Sequence, residues 1–158
     1  MRFASVLCDS GMTSIEFDRL RIIDFLLCFP KEIENCKWPM QDSTNLRKLT
    51  RAIAASYLDQ TSIRQAFIPM MKIQNQVVMD MASKDIIHRQ KIREGVVAPN
   101  EKEVMVTLLK ASAEGWEARS EPWYMPILTV LLSSPLNGAD GLKARTRLLE
   151  YRYDLVGN

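Results

Sequence analysis

The chain has 158 residues, which is enough for one domain with its own hydrophobic core. Its hydrophobic fraction of 47% and charged fraction of 25% are those of an ordinary folded protein and exclude disorder of the whole chain. The formal net charge of +2 excludes a whole-molecule field that would draw the protein onto nucleic acid, so any contact with DNA has to be local.

The three cysteines argue against a secreted protein, because they are odd in number and form no Cys-x-x-Cys pair. Cys28 lies in an apolar run and is predicted to be a small buried hydrophobic residue. The apolar stretch at residues 1–7 is too short for a signal peptide, and no apolar run approaches the roughly 20 residues of a membrane span. We therefore expect a cytoplasmic protein.

The first predicted helix begins at Ser14, within the Thr-x-x-Glu capping box of residues 13–16, and ends before Pro30. Its apolar residues cover most of the helix circumference, which indicates a central helix with neighbours on most sides. These residues are Phe17, Leu20, Ile22, Ile23, Phe25, Leu26, Leu27 and Phe29.

Two more helices follow before the first β-prone segment. The second is predicted from Asp42 or Ser43 to about Tyr57. The third begins around Pro69, because proline fits the first turn of a helix, and ends near Ala82. Residues three or four apart form its predicted inward stripe: Met70, Ile73, Val77 and Met81.

A β-hairpin is predicted after the third helix. The runs Ile86–Ile92 and Val96–Ala98 would be its strands, with the turn at residues 93–95. Three helices followed by a hairpin is the element order of a winged-helix domain.

The remainder of the chain is predicted to be helical. A capping signal at residues 100–103 opens one helix, an apolar helix follows at Trp123–Leu132, and a last helix covers about Ala139–Val156. The predicted fold is therefore mainly α with one small β-hairpin. It consists of a winged-helix-like unit at residues 13–98 and a C-terminal helical extension at residues 99–158 packed on it, forming one compact domain.

The sequence contains no pattern that specifies a reaction. His88 is the only histidine, and no cysteine or carboxylate lies at zinc-ligand spacing from it. The sequence contains neither a glycine-rich phosphate-binding loop nor the Gly-x-Ser-x-Gly motif of a nucleophile elbow. A Ser-His-Asp triad is not excluded, because its members can come from distant parts of the sequence. We expect a protein that is not an enzyme and has no catalytic residues, cofactor or metal.

A basic cluster around the predicted first strand of the hairpin is the candidate nucleic-acid contact. It consists of Lys84, Arg89, Lys91 and Arg93. Strand alternation would place the last three on one face, as in a wing that touches phosphate or in a solvated edge strand protected by charge. The polar positions of the third helix are mainly uncharged, which argues against base reading by that helix.

The candidate partner contacts lie in three places. Met71 and Met79 fall outside the predicted stripe of the third helix, where a methionine either fills the core or offers an adaptable contact surface. Trp123 and Tyr124 are either interface anchors or a small knot of the core. The last helix adds Arg145, Tyr151 and Arg152, whose alternative is a solvated face.

The sequence resembles a known family in three segments. They are Arg19-Leu-Arg-Ile-Ile-Asp-Phe-Leu-Leu-Cys-Phe-Pro30, Phe67-Ile-Pro-Met-Met-Lys-Ile-Gln-Asn-Gln76 and the hairpin start at Ile86-Ile87. Over residues 15–90 the chain is similar to the middle component of ABC three-component defence systems, which include the Lamassu anti-phage and anti-plasmid systems. The resemblance implies no catalytic residues. It implies an accessory subunit that bridges an SMC-like ABC ATPase, which senses foreign DNA, and an effector, often a nuclease.

Two hypotheses follow for the function. In the first, the protein is this bridging subunit and works through protein contacts in a hetero-oligomer. In the alternative, it is a winged-helix transcription regulator whose salt-sensitive binding to duplex DNA weakens when Arg89, Lys91 and Arg93 are changed to glutamate.

Overall fold

The computed structural model of the chain describes residues 2–51, 53, 63, 65–101 and 116–149. The helices in this part of the chain are α1 (Arg2–Asp9), α2 (Phe17–Cys28), α3 (Met40–Arg51), α4 (Phe67–Ser83), α5 (Arg89–Arg93), α6 (Tyr124–Ser133) and α7 (Leu142–Thr146). They are joined by two short strands, β1 (Ile15–Glu16) and β2 (Val96–Val97), and by two 3-10 helices, Pro30–Asn35 and Glu117–Ser120. None of the described helices combines the length and the apolar character needed to cross a membrane.

The predicted fold class is confirmed, because the protein is mostly helical with a small two-stranded antiparallel sheet. The helix α2 is central, as predicted. Its residues 19–27 are all buried, and it packs against α1, α4, α6 and α7. The order of helices and strands is also consistent with a winged-helix-like arrangement.

The helix α2 begins later than the capping box predicted. Ile15 and Glu16 pair with Val97 and Val96 as β1 and β2, so these two residues are extended where the first helical turn was expected. Glu16 occupies the N-cap without a side-chain cap and receives a hydrogen bond from Arg19 instead. Strand pairing thus overrides the local capping signal.

The predicted hairpin strand at residues 86–92 is wrong over most of its length. Ile87 forms one antiparallel bridge with Pro99, and the His88 N–H donates to the Ala98 carbonyl. Residues 89–93 then form α5 instead of continuing as a strand. The segment Arg-Gln-Lys-Ile-Arg contains four good helix formers and a single β-branched residue, so its composition favours a helix over an extended chain.

The helix α1 was not predicted. It buries Phe3, Val6 and Leu7, and Arg2 forms an ion pair with Asp24 of α2. The spacing of these three apolar residues is helical, but the run is too short to be distinguished from a strand or a loop by its pattern alone.

The helix α4 is present as predicted, with Pro69 in its first turn, but its inward stripe is rotated. Its buried residues are Phe67, Met71, Gln74, Val78, Met81 and Ala82. Ile73, predicted to face inward, is 63% exposed, whereas Met70 and Val77 are half-buried. The cause is Gln74, which faces inward and donates to Asp24 at 2.8 Å and to the Arg21 carbonyl at 3.3 Å.

The helix α6 matches the predicted apolar helix to within a residue at each end. The predicted last helix is shorter than expected, because α7 ends at Thr146 and the next residue, Arg147, adopts a left-handed conformation with φ of 55°. The continuation of that helix beyond residue 149, the end of the second predicted helix and most of the helix predicted from residue 100 lie outside the described residues.

Candidate functional site

The predicted basic cluster is distributed around the short helix α5 and does not form one face of a strand. Arg89 donates to the Ala82 and Ser83 carbonyls at 2.9 and 3.2 Å, and its guanidinium lies 3.6 Å from Asp85. These contacts cap the C-terminal end of α4. Arg93 lies one turn further along the same side of α5, whereas Lys91 points away from both, because it lies about 200° from Arg89 around the helix.

The remaining members of the basic cluster occupy separate positions. Lys91 forms an ion pair with Glu94 at 2.8 Å. Lys84 follows α4 as its C-cap residue and is exposed. His88 is the N-cap residue of α5 and is also exposed. The prediction that Arg89, Lys91 and Arg93 share one face is therefore wrong, although all four basic side chains of the cluster are exposed.

Of the two methionines predicted to contact a partner, the structure leaves one on the surface. Met79 is 60% exposed, whereas Met71 is only 8% exposed and belongs to the core. Met79 lines a shallow groove of about 310 Å³ between the end of α4 and α5. The other lining residues are Ala82, Ser83, Arg89, Ile92 and Arg93. One predicted partner contact and two predicted nucleic-acid contacts thus meet in a single groove, which we call the α4–α5 groove.

Tyr124 is part of a core knot and offers almost no surface. It is 1% exposed, its ring packs edge-on against Trp116, and its hydroxyl donates to Asp9 at 2.9 Å. Arg119 holds the same carboxylate with two hydrogen bonds of 2.8 and 2.7 Å. Burial raises the pKa of the Tyr124 phenol well above its ordinary value, so this side chain is a neutral hydrogen-bond donor.

The residues proposed on the last helix also differ from expectation. Arg145 is buried, and its guanidinium lies 5.6 Å from the centre of the Trp38 ring. It therefore packs inside the protein instead of presenting charge to a partner. Tyr151 and Arg152 lie outside the described residues.

Trp123 is half-buried and forms a wall of two grooves. The larger groove, of about 930 Å³, lies between α3 and the start of α6. Its lining is mainly apolar and includes Leu46, Leu49, Pro122, Pro126 and Val130. We call it the α3–α6 groove.

The second groove, of about 640 Å³, lies beside α1, α2 and α4, and we call it the α2–α4 groove. Apolar side chains form most of it, including Phe3, Val77, Trp116 and the exposed Ile73. It also contains a polar chain: Arg2 donates to Asp24 at 2.8 Å, and Asp24 accepts from Gln74 at 2.8 Å. The sequence carried a signal for this site, since Asp24 is a lone carboxylate in a long apolar run.

The Cys28 thiol is not activated as a nucleophile. Burial raises the pKa of the Cys28 thiol to about 12, so it is protonated at neutral pH. No group of three or more histidine, cysteine or carboxylate side chains close enough to hold a metal ion occurs in the part of the chain that the structure describes.

The comparison with known proteins gives one family. Residues 1–154 match the family described as "ABC-three component (ABC-3C) system Middle Component 5". No curated protein and no solved structure matches the chain. The match covers nearly the whole sequence, including α1 and the C-terminal helices, and so extends well beyond the three segments on which the resemblance rested. The chain belongs to the middle component 5 family of ABC-three component systems.

Proposed function

We propose that this protein is the non-catalytic bridging subunit of a bacterial defence complex, in which it links an SMC-like ABC ATPase to an effector nuclease. The observation that carries the proposal is the family match over residues 1–154, since a middle component belongs to a system of several components. We further propose that the system is of the Lamassu type and that the complex works in the cytoplasm.

The two grooves that share Trp123 support a role in binding other subunits. Protein interfaces use aromatic anchors, and tryptophan is among the residues most enriched at their energetic centres. Trp123 combines partial exposure with a position between two mainly apolar grooves. We therefore propose that subunits dock against one or both of these grooves.

Co-expression with the proteins encoded by the neighbouring genes tests this function. We expect the ATPase and the effector to co-elute with this subunit in size-exclusion chromatography, with the stoichiometry given by light scattering. Trp123→Ala should weaken the complex by about 2 kcal/mol or more, the usual range for an anchor residue.

Met40→Ala is the matched control, because Met40 is 89% exposed and lies at the opposite end of α3 from the residues that line the α3–α6 groove. It should leave the complex unchanged. A wild-type protein that remains a free monomer beside its co-expressed neighbours, or neighbouring genes that encode no ATPase, would refute the bridging role.

A further inference from the structure

The α4–α5 groove combines an apolar floor with cationic rims. Met79, Ala82 and Ile92 provide the apolar lining, and Arg89 and Arg93 lie beside it. Its volume of about 310 Å³ lies at the lower end of the range for ligand pockets and is enough for one or two apolar side chains of a partner. A segment of polypeptide that inserts one side chain fits it better than a cofactor does.

Arg89 makes this groove a fixed feature of the fold. Its hydrogen bonds to the Ala82 and Ser83 carbonyls join α5 to the end of α4. These carbonyls lie at the negative end of the α4 dipole, where a guanidinium is stabilising. Arg89 is therefore partly committed to structure, whereas Arg93 lies exposed on the next turn of α5.

The lining of this groove is positively charged, because its described residues include Arg89 and Arg93 and no acidic side chain. A partner segment with carboxylates beside an apolar residue would complement both the charge and the apolar lining.

The same surface is less suited to DNA. Asp80, Asp85 and Glu94 are exposed close in sequence to the lining residues, and a duplex, whose phosphates recur along its whole length, would be repelled by them as it approached Arg93. A polypeptide can place its carboxylates selectively, whereas a nucleic-acid backbone presents negative charge at every step. An exposed methionine also suits an apolar side chain better than a phosphate.

We propose that the α4–α5 groove binds an acidic segment of a partner protein, with one apolar side chain of that segment seated against Met79 and Ile92 and a carboxylate on Arg93. The proposal rests on the proposed function, since it names the chemistry of one docking contact of a bridging subunit.

A methyl NMR titration of the full chain tests the groove without requiring the complex. The probe is a short synthetic peptide of serines with one central leucine and a glutamate on each side of it, added to protein labelled at the methionine and isoleucine methyl groups at physiological ionic strength. We expect saturable shifts of the Met79 and Ile92 resonances, assigned from Met79→Leu and Ile92→Val, and no shift of the exposed Met40 methyl. Replacing the leucine by serine, or the glutamates by lysines, should remove the binding.

Arg93→Glu should weaken the peptide by roughly tenfold, because it replaces an attractive contact with a repulsive one. Lys72→Glu is the matched control: Lys72 is exposed on α4 about 10 Å before Met79, and the variant makes the same change of net charge. It should change the affinity by less than about twofold. Unchanged thermal melting of both variants verifies that they fold.

Several outcomes would overturn the proposal: no saturable shift, equal binding of the lysine peptide, or equal loss in both variants. A short DNA duplex that shifts the same two methyl groups more strongly than the peptide does, at the same salt, would also overturn it. If the subunits co-purify but the peptide does not bind, the groove assignment fails and the bridging role stands. If the peptide binds but no subunit co-purifies, the bridging role fails instead.

Discussion

Arg19 stabilises the junction between α2 and α6, and Arg19→Met should show by how much. The Arg19 Nη1 donates to the carbonyls of Leu131, Leu132 and Ser134, at 3.2, 3.1 and 2.6 Å. The first two are among the last four carbonyls of α6, which have no partner within a helix. Since α6 has no basic residue in its last turn, Arg19 serves as its C-terminal cap from a different helix.

The expected loss follows from these contacts. The bonds to the Leu131 and Ser134 carbonyls are buried, and each buried acceptor left without a donor costs about 1–3 kcal/mol. Part of this cost is offset, because the variant no longer has to remove the arginine guanidinium from water on folding. The methionine side chain also keeps the packing of the aliphatic part of the arginine. We expect Arg19→Met to lower the free energy of unfolding by about 3 kcal/mol, or the melting temperature by roughly 6–12 °C.

Urea denaturation followed by circular dichroism measures this change. Arg47→Met is the matched control, because Arg47 is exposed on α3 and its loss should cost less than about 0.5 kcal/mol. Arg19→Lys should recover only part of the loss, since an ammonium group lacks the fork of donors that reaches several carbonyls. A value for Arg19→Met within about 1 kcal/mol of wild type, with the same dependence on urea, would refute the capping role.

Three further predictions concern ionisable groups. Gln74→Glu places a second carboxylate beside Asp24 in the core, which should destabilise the fold by about 3 kcal/mol at pH 7. Because the introduced carboxyl group has a raised pKa, thermal melts should show that stability partly recovers as the pH falls to about 5. A loss of stability that does not depend on pH would contradict this reasoning. Burial raises the pKa of Cys28 to about 12. Alkylation by iodoacetamide at pH 8, followed by mass spectrometry, should therefore be roughly a hundredfold slower at Cys28 than at free cysteine. An equal rate would show that the thiol is accessible and ionised. The hydrogen bond from Arg19 lowers the pKa of Glu16, so this carboxylate contributes stability at neutral pH that is lost as the pH falls below about 4. The Glu16→Gln variant should therefore lose less stability than the wild type between pH 6 and pH 3. If the two proteins lose stability in parallel over this range, the Arg19–Glu16 ion pair does not make this contribution.

The long helices could be predicted because their signals are local. The apolar run that forms α2, the proline in the first turn of α4 and the apolar stretch of α6 each specify a helix within one segment. The direction in which α4 faces could not be obtained in this way. It depends on Gln74 reaching Asp24, a contact between residues that are 50 positions apart. A prediction from periodicity places every polar residue on the solvent-facing side of a helix, unless a buried partner for it is known.

The small sheet could not be predicted from the sequence for a related reason. A strand of two residues has no period to detect, and β1 pairs with β2 across about 80 residues of sequence. This error carried over to the candidate nucleic-acid surface, because the faces of the basic cluster were predicted for a strand, whereas residues 89–93 form a helix. Met79 was placed correctly on the surface, whereas its proximity to Arg89 and Arg93 required the fold.

The place of the Trp123 indole between the α3–α6 and α2–α4 grooves has a thermodynamic consequence. Any subunit that reorients this ring from one side reshapes the cavity on the other side. Two ligands that each favour a particular orientation are then coupled, and the free energy of that coupling is the same whichever of them arrives first.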